Sequence, residues 1–279
     1  MRIISKVLLI TVSLFCFLSA ERAKEPYWIK ILNYHEIFPE SWMKSNDPKL
    51  NRFTKPSDRM LIVTAENFDK QVEFLSQNYK LVKMSDFAEH LSRKQPYDQN
   101  VVIITFDGAD ETIYKYAYPV LKKYNASATL FLHINSVRFD KTAMKWETIK
   151  KIHEEGLMEI ESHSVSHPHM NRKKEEETEE AYETRIRKEL ADSKAIIEEK
   201  LNKKVECFAY PYGGYNETVI RLLKETGYKT SVTVQWDKNT INSNPYTLKR
   251  RGIFGAHSLS KFIEIFKNNV KDDMREYAD

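Results

Sequence analysis

The sequence contains little cysteine, and this limits how the fold can be stabilised. Of its 279 residues only Cys16 and Cys207 are cysteines. Cys16 lies in an apolar run that we expect to be removed on export, so no intramolecular disulfide is predicted. Cys207, inside the apolar stretch 205–209, is predicted to be a buried strand thiol rather than a reactive one. The core must therefore hold without cross-links.

The sequence also lacks a strong charge imbalance. Its 44 Lys and Arg residues are intermixed with 40 Asp and Glu residues, which leaves a formal net charge of +4. It has no basic patch with interleaved aromatic residues, and this argues against nucleic acid as a partner. The 15 Tyr, 14 Phe and 4 Trp residues suit a sugar-binding groove or an ordinary core equally well.

Long apolar runs are scarce too. The run from Val7 to Leu18 is shorter than the roughly 20 residues that span a bilayer. Two basic residues precede it and Ser19-Ala20 follow it, which is the layout of a secretory signal peptide cleaved after Ala20. We therefore expect residues 1–20 to be a signal peptide and the protein to be exported, either periplasmic or extracellular. Retention of an uncleaved signal as an anchor is the alternative, and the only membrane link we expect.

The remaining residues, 21–279, are enough for a single α/β domain. Short apolar runs rich in Val, Ile and Phe alternate with helical patterns, which predicts parallel strands joined by crossover helices. The predicted strands are 29–35, 101–106, 127–132, 157–161, 205–210, 229–234 and 247–253. The predicted helices are 65–78, 85–92, 112–124, 145–155, 174–201, 216–226 and 258–269. The segment 39–60 has little periodicity and is predicted to be a long loop overhanging the site.

Polar side chains follow four of the predicted strands. In a barrel of parallel strands, the loops after the carboxyl ends of the strands build the active site. Four strand ends that all supply polar groups indicate a site more strongly than any one of them. The groups in question are His35 and Glu36, Asp107 and Asp110, His163 and His167, and the segment Tyr210 to Gly213.

The two histidines after the strand 157–161 form the clearest metal-binding pattern. His163 and His167 are four residues apart in a serine-rich turn, where two imidazoles can converge on one divalent ion. Zinc suits neutral nitrogen ligands best, and cobalt, nickel or iron would also fit. A pair of surface histidines is the alternative interpretation. We expect His169 to lie outside the ligand set and His133 to be a hydrogen-bonded histidine at a strand end.

An acidic pattern follows the apolar strand 101–106. The strand places the carboxylate of Asp107 at the rim of the sheet, where desolvation and a nearby cation can set its pKa for base catalysis. Asp107 is therefore the candidate base. Asp110, which precedes Glu111-Thr112, is typical of a helix cap.

The segment Tyr210-Pro211-Tyr212-Gly213 is the third pattern. Pro211 fixes the backbone and the glycine permits a sharp turn, so the amide of Tyr212 can point into the site as an oxyanion donor. Tyr210 and Pro211 are predicted to contact substrate. By itself the segment is only a strand-to-helix turn.

Taken together, these patterns resemble the polysaccharide deacetylases, carbohydrate esterase family four, over roughly residues 28–254. The resemblance is strongest to the poly-N-acetylglucosamine deacetylases. It implies a single domain, 21–279, with an α/β fold: a distorted (β/α) barrel of about seven parallel strands. The residues that carry it are Asn33-Tyr34-His35-Glu36-Ile37, Ile104-Thr105-Phe106-Asp107, His163 with His167, Ala209 to Gly213, and Leu248-Lys249-Arg250.

The resemblance also implies an activity: metal-dependent removal of N-acetyl groups from N-acetylglucosamine units of a cell-envelope or extracellular polysaccharide. Asp107 matches the catalytic base, and His163 and His167 match the metal-binding histidines. The amide of Tyr212 matches the oxyanion donor, and His35 matches the general acid.

A looser match places Trp236 in an apolar wall of the substrate site. By the same resemblance, Asp237 falls near the position of a residue that orients the general acid.

One position departs from the family pattern. Two adjacent aspartates and a glycine normally follow Thr-Phe, and the second aspartate is a metal ligand, whereas here Gly108-Ala109 follow Asp107. We expect Asp110 to replace the missing ligand. Alternatively, the two histidines hold the ion together with water or Asp107.

The glycine also leaves two rival functions open. One is a degenerate deacetylase-fold protein that binds carbohydrate without hydrolysis, since Gly108 has no side chain to coordinate a metal. The other is a carbon–nitrogen hydrolase on the same scaffold that acts on a small amide, which a capped pocket under the 39–60 loop would favour.

Overall fold

The computed structural model describes residues 27–43, 59–255 and 257–268. The predicted signal peptide, Cys16 and most of the predicted loop 39–60 lie outside these ranges. Within them, no helix combines the length and the apolar character needed to cross a membrane.

Seven parallel strands form a nearly closed barrel, as predicted. Along the sheet their order is β10-β1-β5-β6-β7-β8-β9, and the short strand Lys80–Leu81 adds to β5. The barrel nearly closes where Thr233 N donates to Leu248 O and Leu248 N donates to Ser231 O. The seven strands are β1 (Ile29–Tyr34), β5 (Val101–Asp107), β6 (Ala128–Leu132), β7 (Met158–Ser162), β8 (Cys207–Ala209), β9 (Thr230–Val232) and β10 (Arg250–Gly252).

The alternation of side chains along the strands separates two apolar layers. In β1, Ile31 faces a cluster that also holds Ile103 and Phe131, whereas its neighbour Leu32 joins the larger cluster. Cys207 belongs to the smaller cluster and is buried, as predicted, and burial raises the pKa of its thiol. Every residue of β1 and β5 is buried, which is the expected pattern when both faces of a sheet are covered.

Helices lie close to the predicted positions. Three begin at residues whose side chains accept a hydrogen bond from the first turn: Thr64, Thr178 and Asn216. The helices that correspond to predicted ones are Ala65–Asn78, Met84–Arg93, Tyr118–Lys123, Trp146–Glu154, Glu179–Leu201, Glu217–Glu225 and Leu259–Asn268.

Two of the predicted helices differ in detail. The helix predicted from residue 174 begins at Glu179, because Thr178 caps it and Glu176 adopts a positive φ of 58° that a helix cannot continue. The helix predicted over 112–124 opens as a π-helical turn, Ile113–Ala117. Pro119 lies just after this turn and has no amide hydrogen to donate into a regular ladder.

Several short elements were not predicted. They include the helix Ile134–Phe139, directly after β6, and a parallel pair of two-residue strands. Runs this short have too few residues to display a period, so the hydrophobic pattern does not reveal them. That pair is β2 (Ile37–Phe38) and β3 (Val63–Thr64), and the others are the helix Glu40–Met43, the 3₁₀ turn Pro211–Gly213 and the strand β4 (Lys80–Leu81).

Candidate active site

A cleft of about 430 Å³ lies at the carboxyl ends of the barrel strands. It gathers titratable side chains from β1, β5, β6 and β7, as expected for loops at this end of a barrel. Another cleft, of about 620 Å³, runs along Glu179–Leu201, and none of the described residues that line it is His or Cys. The first cleft is lined by Asn33, His35, Glu36, Leu61, Asp107, Gly108, His133, His163, His167, Tyr210, Tyr212 and Val234.

Asp107, the predicted base, is held by a buried arginine. Its two carboxylate oxygens accept hydrogen bonds of 2.7 Å each from Arg250 Nη1 and Nη2. Asn33 Nδ2 donates a third, at 3.2 Å. Arg250 is 0% exposed, and it also donates to Thr105 Oγ1 and to the carbonyl of Thr233. This bidentate pair fixes the plane of the carboxylate.

The arginine also determines the charge of Asp107. Burial by itself would raise the pKa of the carboxyl group, but the guanidinium of Arg250, followed by His163, outweighs it and lowers the pKa. Asp107 is therefore ionised at neutral pH. Sequence reasoning gave no role to Arg250 or Asn33, because nothing in the sequence shows that an arginine in a short strand is buried beside this carboxylate.

His163 and His167 converge in the cleft. His163 Nδ1 lies 2.8 Å from the carbonyl oxygen of Ala209. Because a carbonyl only accepts, this nitrogen carries the hydrogen, which leaves the lone pair on Nε2 facing the cleft. His167 Nε2 lies 3.0 Å from that atom. Burial lowers the pKa of His163 to about 3, and it also lowers the pKa of His167, so both imidazoles are neutral at neutral pH.

The turn that carries the two histidines has a strained backbone, and hydrogen bonds to the helix Glu179–Leu201 hold it in place. Ser164 and His167 have positive φ values of 67° and 55°, which residues other than glycine seldom adopt. Ser164 Oγ accepts a hydrogen bond from His167 N. Glu189, on Glu179–Leu201, accepts from the amides of Val165 and Ser166 at 2.9 Å each, and from the hydroxyl of Ser166. These bonds keep His167 turned toward His163.

Two further histidines line the cleft. Among the described residues, His35 Nδ1 and His133 Nε2 are buried atoms without a hydrogen bond, whereas His133 Nδ1 lies 2.6 Å from Ser136 Oγ. Burial lowers the pKa of His35, and the nearby Asp107 opposes that shift. Burial likewise lowers the pKa of His133 to about 4. His35 is where the prediction places it, whereas His133 belongs to the cleft and was not assigned to the site from sequence.

Tyr212 occupies the tight turn after β8. Its φ of 57° puts it in the left-handed region, and Gly213 N donates to Tyr210 O to close the turn. The ring of Tyr212 is 58% exposed and stacks on His169 at a centroid distance of 4.2 Å. Tyr210 lines the cleft, but its hydroxyl is bonded to Tyr246 O and to Ser231 Oγ. Pro211 is buried at the start of the turn and is not among the lining residues.

The structure does not bring Asp110 or Trp236 into the cleft lining. Asp110 accepts hydrogen bonds from Thr112 N and from Thr142 Oγ1, so its carboxylate holds local backbone in the manner of the cap that the sequence also suggested. The ring of Trp236 lies 4.5 Å from the guanidinium of Arg251. A metal-ligand role for Asp110 and a substrate contact for Trp236 remain predictions, and these contacts do not favour either of them.

The two convergent histidines fit a divalent ion in part. Their Nε2 atoms are 3.0 Å apart, close to the roughly 3.3 Å that two nitrogens on one tetrahedral zinc would have. Zinc and related ions bind neutral imidazole well. In the described part of the chain, however, no three His, Cys, Asp or Glu side chains already surround one point. The pair supplies two ligands, and a third has to come from a rearranged side chain or from solvent.

Comparison with known proteins identifies the family. Residues 94–231 match the family described as Polysaccharide deacetylase. The chain belongs to the polysaccharide deacetylase family. A curated relative, the poly-beta-1,6-N-acetyl-D-glucosamine N-deacetylase of Staphylococcus aureus strain MRSA252, is 27% identical over 230 residues, which are 78% of this chain and 76% of the relative.

Solved structures share the fold. The deacetylase PplD of Streptococcus pyogenes, solved in complex with acetate, superposes with a TM-score of 0.71 at 24% identity, over 86% of this chain and 98% of that one. IcaB from Ammonifex degensii superposes with a TM-score of 0.68 at 22% identity, over 85% of this chain and 95% of that one. The predicted family and the predicted deacetylase barrel are thereby confirmed.

Proposed function

We propose that this member of the polysaccharide deacetylase family is a metal-dependent hydrolase that removes N-acetyl groups from N-acetylglucosamine units of a cell-envelope or extracellular polysaccharide. The observation that carries the proposal is the meeting in one cleft of an ionised carboxylate, two convergent imidazoles and a further histidine. These are Asp107, His163 with His167, and His35.

Asp107 is the proposed base. Hydrolysis of an amide requires a group that takes a proton from the attacking water. Asp107 is ionised, and its Oδ2 atom lies 4.0 Å from His163 Nε2, so a water between them is within reach of both. Arg250 holds the carboxylate in a single orientation, which keeps the base aligned with the cleft. Because its pKa lies below the usual range, Asp107 is a weak base. Its fixed position beside the attacking water has to offset this low basicity.

The amide of Tyr212 is the proposed donor to the oxyanion. A negative charge develops on the acetamide oxygen as water attacks, and a preorganised N–H group stabilises it. The left-handed turn at Tyr212, at the edge of the cleft, supports this role. A divalent ion held by His163 and His167 would add Lewis-acid polarisation of the same carbonyl. Zinc is the ion we favour, with cobalt, nickel or iron as alternatives.

His35 is the proposed general acid for the departing amine. Burial lowers the pKa of its imidazole, so His35 is neutral in the resting protein. The proton that it delivers must therefore arrive during turnover. Asp107, whose charge raises the pKa of His35, is the neighbouring group that accepts a proton from water. A transfer from Asp107 to His35 would complete the path from water to amine.

The substrate class is supported by the relatives and by the mouth of the cleft. The Staphylococcus aureus relatives are named for poly-beta-1,6-N-acetyl-D-glucosamine. Two exposed apolar side chains flank the opening, Tyr212 at 58% and Val234 at 51% exposure. Aromatic and aliphatic surfaces at a cleft suit the apolar faces of sugar rings. An exported location is part of the proposal, and the predicted signal peptide that would direct it lies outside the described residues.

Acetate release from N-acetylglucosamine oligomers tests the proposal. We expect purified protein to release acetate with a divalent metal present, and chelator treatment to abolish the release. His163→Ala should lose both bound metal and activity. His153→Ala, which changes a histidine of the helix Trp146–Glu154 that does not line the cleft, should retain both. Full acetate release by His163→Ala, or by chelated protein, would refute the metal-dependent function.

A second function is favoured by one observation, the glycine at position 108. A barrel without a complete ligand set would keep its cleft and bind carbohydrate without hydrolysing it. Such a protein would bind N-acetylglucosamine oligomers while it released no acetate and retained no metal. Equilibrium dialysis with zinc, run beside the acetate assay, distinguishes the two functions.

A further inference from the structure

Gly108 leaves one side of the candidate metal site without a protein ligand. It follows Asp107 at the end of β5 and has a φ of 113°, a backbone conformation that residues other than glycine rarely adopt. A Cβ atom built there meets nothing within 4 Å. The space where a ligand from this strand would lie is therefore open, and the backbone itself is shaped for glycine.

Two nearby carboxylates are committed elsewhere. Asp107 is paired through both oxygens with Arg250 and also accepts from Asn33. Asp110 accepts from Thr112 N and Thr142 Oγ1. Catalytic zinc usually keeps three protein ligands, so a third ligand to accompany His163 and His167 has to be sought on another strand.

His133 lies where such a ligand is needed. β6 runs between β5, which ends at Asp107 just before Gly108, and β7, which leads into His163. Leu132 is in register with Ser162, so His133 and His163 leave their strands side by side. His133 lines the cleft, and its ring centroid is 5.4 Å from that of His167. The histidine next to the open position thus lines the same cleft.

The two ring nitrogens of His133 differ in their partners. Nδ1 lies 2.6 Å from Ser136 Oγ, while Nε2 is a buried atom without a hydrogen bond of good geometry. Metal-binding histidines commonly use one nitrogen for an orienting partner and the other for the ion. The carbonyl of Val165 also lies close enough to affect the pKa of the ring. A bridge from Ser136 to Val165 is therefore the structural role against which a ligand role must be tested.

We propose that His133 is the third protein ligand of the metal site, replacing the carboxylate that Gly108 cannot provide, so that His133, His163 and His167 form a three-histidine site. The inference rests on the proposed metal-dependent function. In the described part of the chain the three nitrogens do not yet surround one point, so binding requires the His133 ring to turn toward His167. The ligand class is a borderline-soft divalent cation, with zinc as the best match to three neutral imidazoles.

The test counts the histidines on bound zinc. Full-chain protein is loaded with zinc, and X-ray absorption at the zinc edge is recorded, since imidazole rings give characteristic multiple scattering. We expect three imidazoles in the unsubstituted protein and two in His133→Ala. The zinc dissociation constant, measured by chelator competition, should rise at least about 100-fold in His133→Ala and about tenfold in Ser136→Ala, which removes only the orienting hydroxyl. His153→Ala is the matched control and should bind zinc unchanged.

The outcomes separate this inference from the function on which it rests. If His133→Ala retains the zinc affinity and imidazole count of the unsubstituted protein while His163→Ala loses zinc, the metal-dependent function stands and the ligand assignment is wrong. If the unsubstituted protein binds no zinc, cobalt, nickel or iron, both fail. If His133→Ala misfolds, two measurements still test the ligand assignment: the zinc affinity of Ser136→Ala and the imidazole count of the unsubstituted protein. A count of two imidazoles excludes His133 as a third ligand.

Discussion

Two clusters of buried polar groups, one along β7 and one in the cleft beyond its end, differ in how completely their atoms are hydrogen-bonded. In the first, which we call the glutamate cluster, Glu161 is 1% exposed and accepts hydrogen bonds from Lys203 Nζ and from the amides of Glu206 and Cys207. Its other member, Glu159, accepts from the amide of Ser85 and from a threonine hydroxyl. Each of these carboxylates accepts hydrogen bonds from donors within the protein.

The cleft differs in having nitrogen and oxygen atoms that lack such partners. Asn33 Oδ1, His35 Nδ1 and His133 Nε2 are buried without a hydrogen bond to any described residue. His163 and His167 point Nε2 atoms at each other from 3.0 Å. A buried polar atom without a partner costs roughly 1–3 kcal/mol, so a fold retains several together where a ligand completes them. Burial does not distinguish the two clusters, whereas the completeness of their hydrogen bonds does.

The largest effect should come from the base in the cleft. Asp107→Asn removes the proton acceptor while keeping the size of the side chain, and we expect kcat/KM for acetate release to fall by about 100- to 10,000-fold. The measurement is acetate release from N-acetylglucosamine oligomers. Asp110→Asn is the control, with activity within a few-fold of the original, because Asp110 caps local backbone. Loss of bound metal in Asp110→Asn would instead support Asp110 as the replacement ligand.

The glutamate cluster should respond in stability and not in catalysis. Glu161→Ala leaves Lys203 without its carboxylate and two buried amides without an acceptor, so we expect the free energy of unfolding to fall by about 3–5 kcal/mol. Urea denaturation measures the change. The exposed pair Lys229–Glu206 provides the comparison, since Lys229→Ala should cost less than about 1 kcal/mol. A large drop in kcat for folded Glu161→Ala would contradict the division between the two clusters.

The histidines of the cleft should make the metal-free protein sensitive to acid. The pKa of His163 is lowered to about 3 from an ordinary 6.5. As pH falls below about 6.5, His163 binds a proton in the unfolded chain but not in the folded protein. The free energy of unfolding therefore declines until the pH approaches the pKa of His163 in the folded protein. We expect a loss of about 1.4 kcal/mol per pH unit from this group. Urea unfolding of chelator-treated protein against pH measures it, and His163→Gln should flatten the curve.

Gly108 offers a way to separate backbone strain from ligand loss. Gly108→Asp places a carboxylate at the open position, but its φ of 113° suits only glycine, so the variant should lose roughly 1–3 kcal/mol of stability. Gly108→Ala carries the same strain without the carboxylate and is the matched control. We expect both variants to show similar zinc affinity. Tighter zinc binding by Gly108→Asp alone would mean that the backbone rearranges and the aspartate coordinates.

The sequence predicts the strands that position the site better than it predicts the contacts among the side chains within the site. The strands β1, β5 and β6 lie in apolar runs long enough to recognise, and the carboxyl ends of β1, β5 and β7 supplied His35, Asp107 and His163 to one cleft. Arg250 was missed because its burial beside Asp107 depends on the pairing of β10 with β1, a contact of about 220 residues in sequence separation that no local pattern encodes.

Asp110 and His133 show a second limit of prediction from the sequence. The family resemblance predicted Asp110 as a replacement ligand, and the position of His133 after an apolar strand predicted an ordinary strand-end histidine. Spacing cannot determine where a side chain points after a turn, and here Asp110 points to Thr142 while His133 lines the cleft. Whether a polar group already has a partner emerges only when the neighbouring strands are in place.

The smallest effect should come from the helix that supports the metal-binding turn. Glu189 accepts three hydrogen bonds from Val165 and Ser166, two of them through Oε2. Glu189→Gln replaces one oxygen with a donor, so part of this support is lost while the histidines remain. We expect zinc affinity to fall about tenfold, as is typical for groups that orient a ligand, with stability changed by less than about 1.5 kcal/mol. Chelator competition measures the affinity. Glu183→Gln, on the same helix but with its carboxylate paired with Arg221, should bind zinc normally. An equal loss in that variant would show that the helix, and not the turn, had been disturbed.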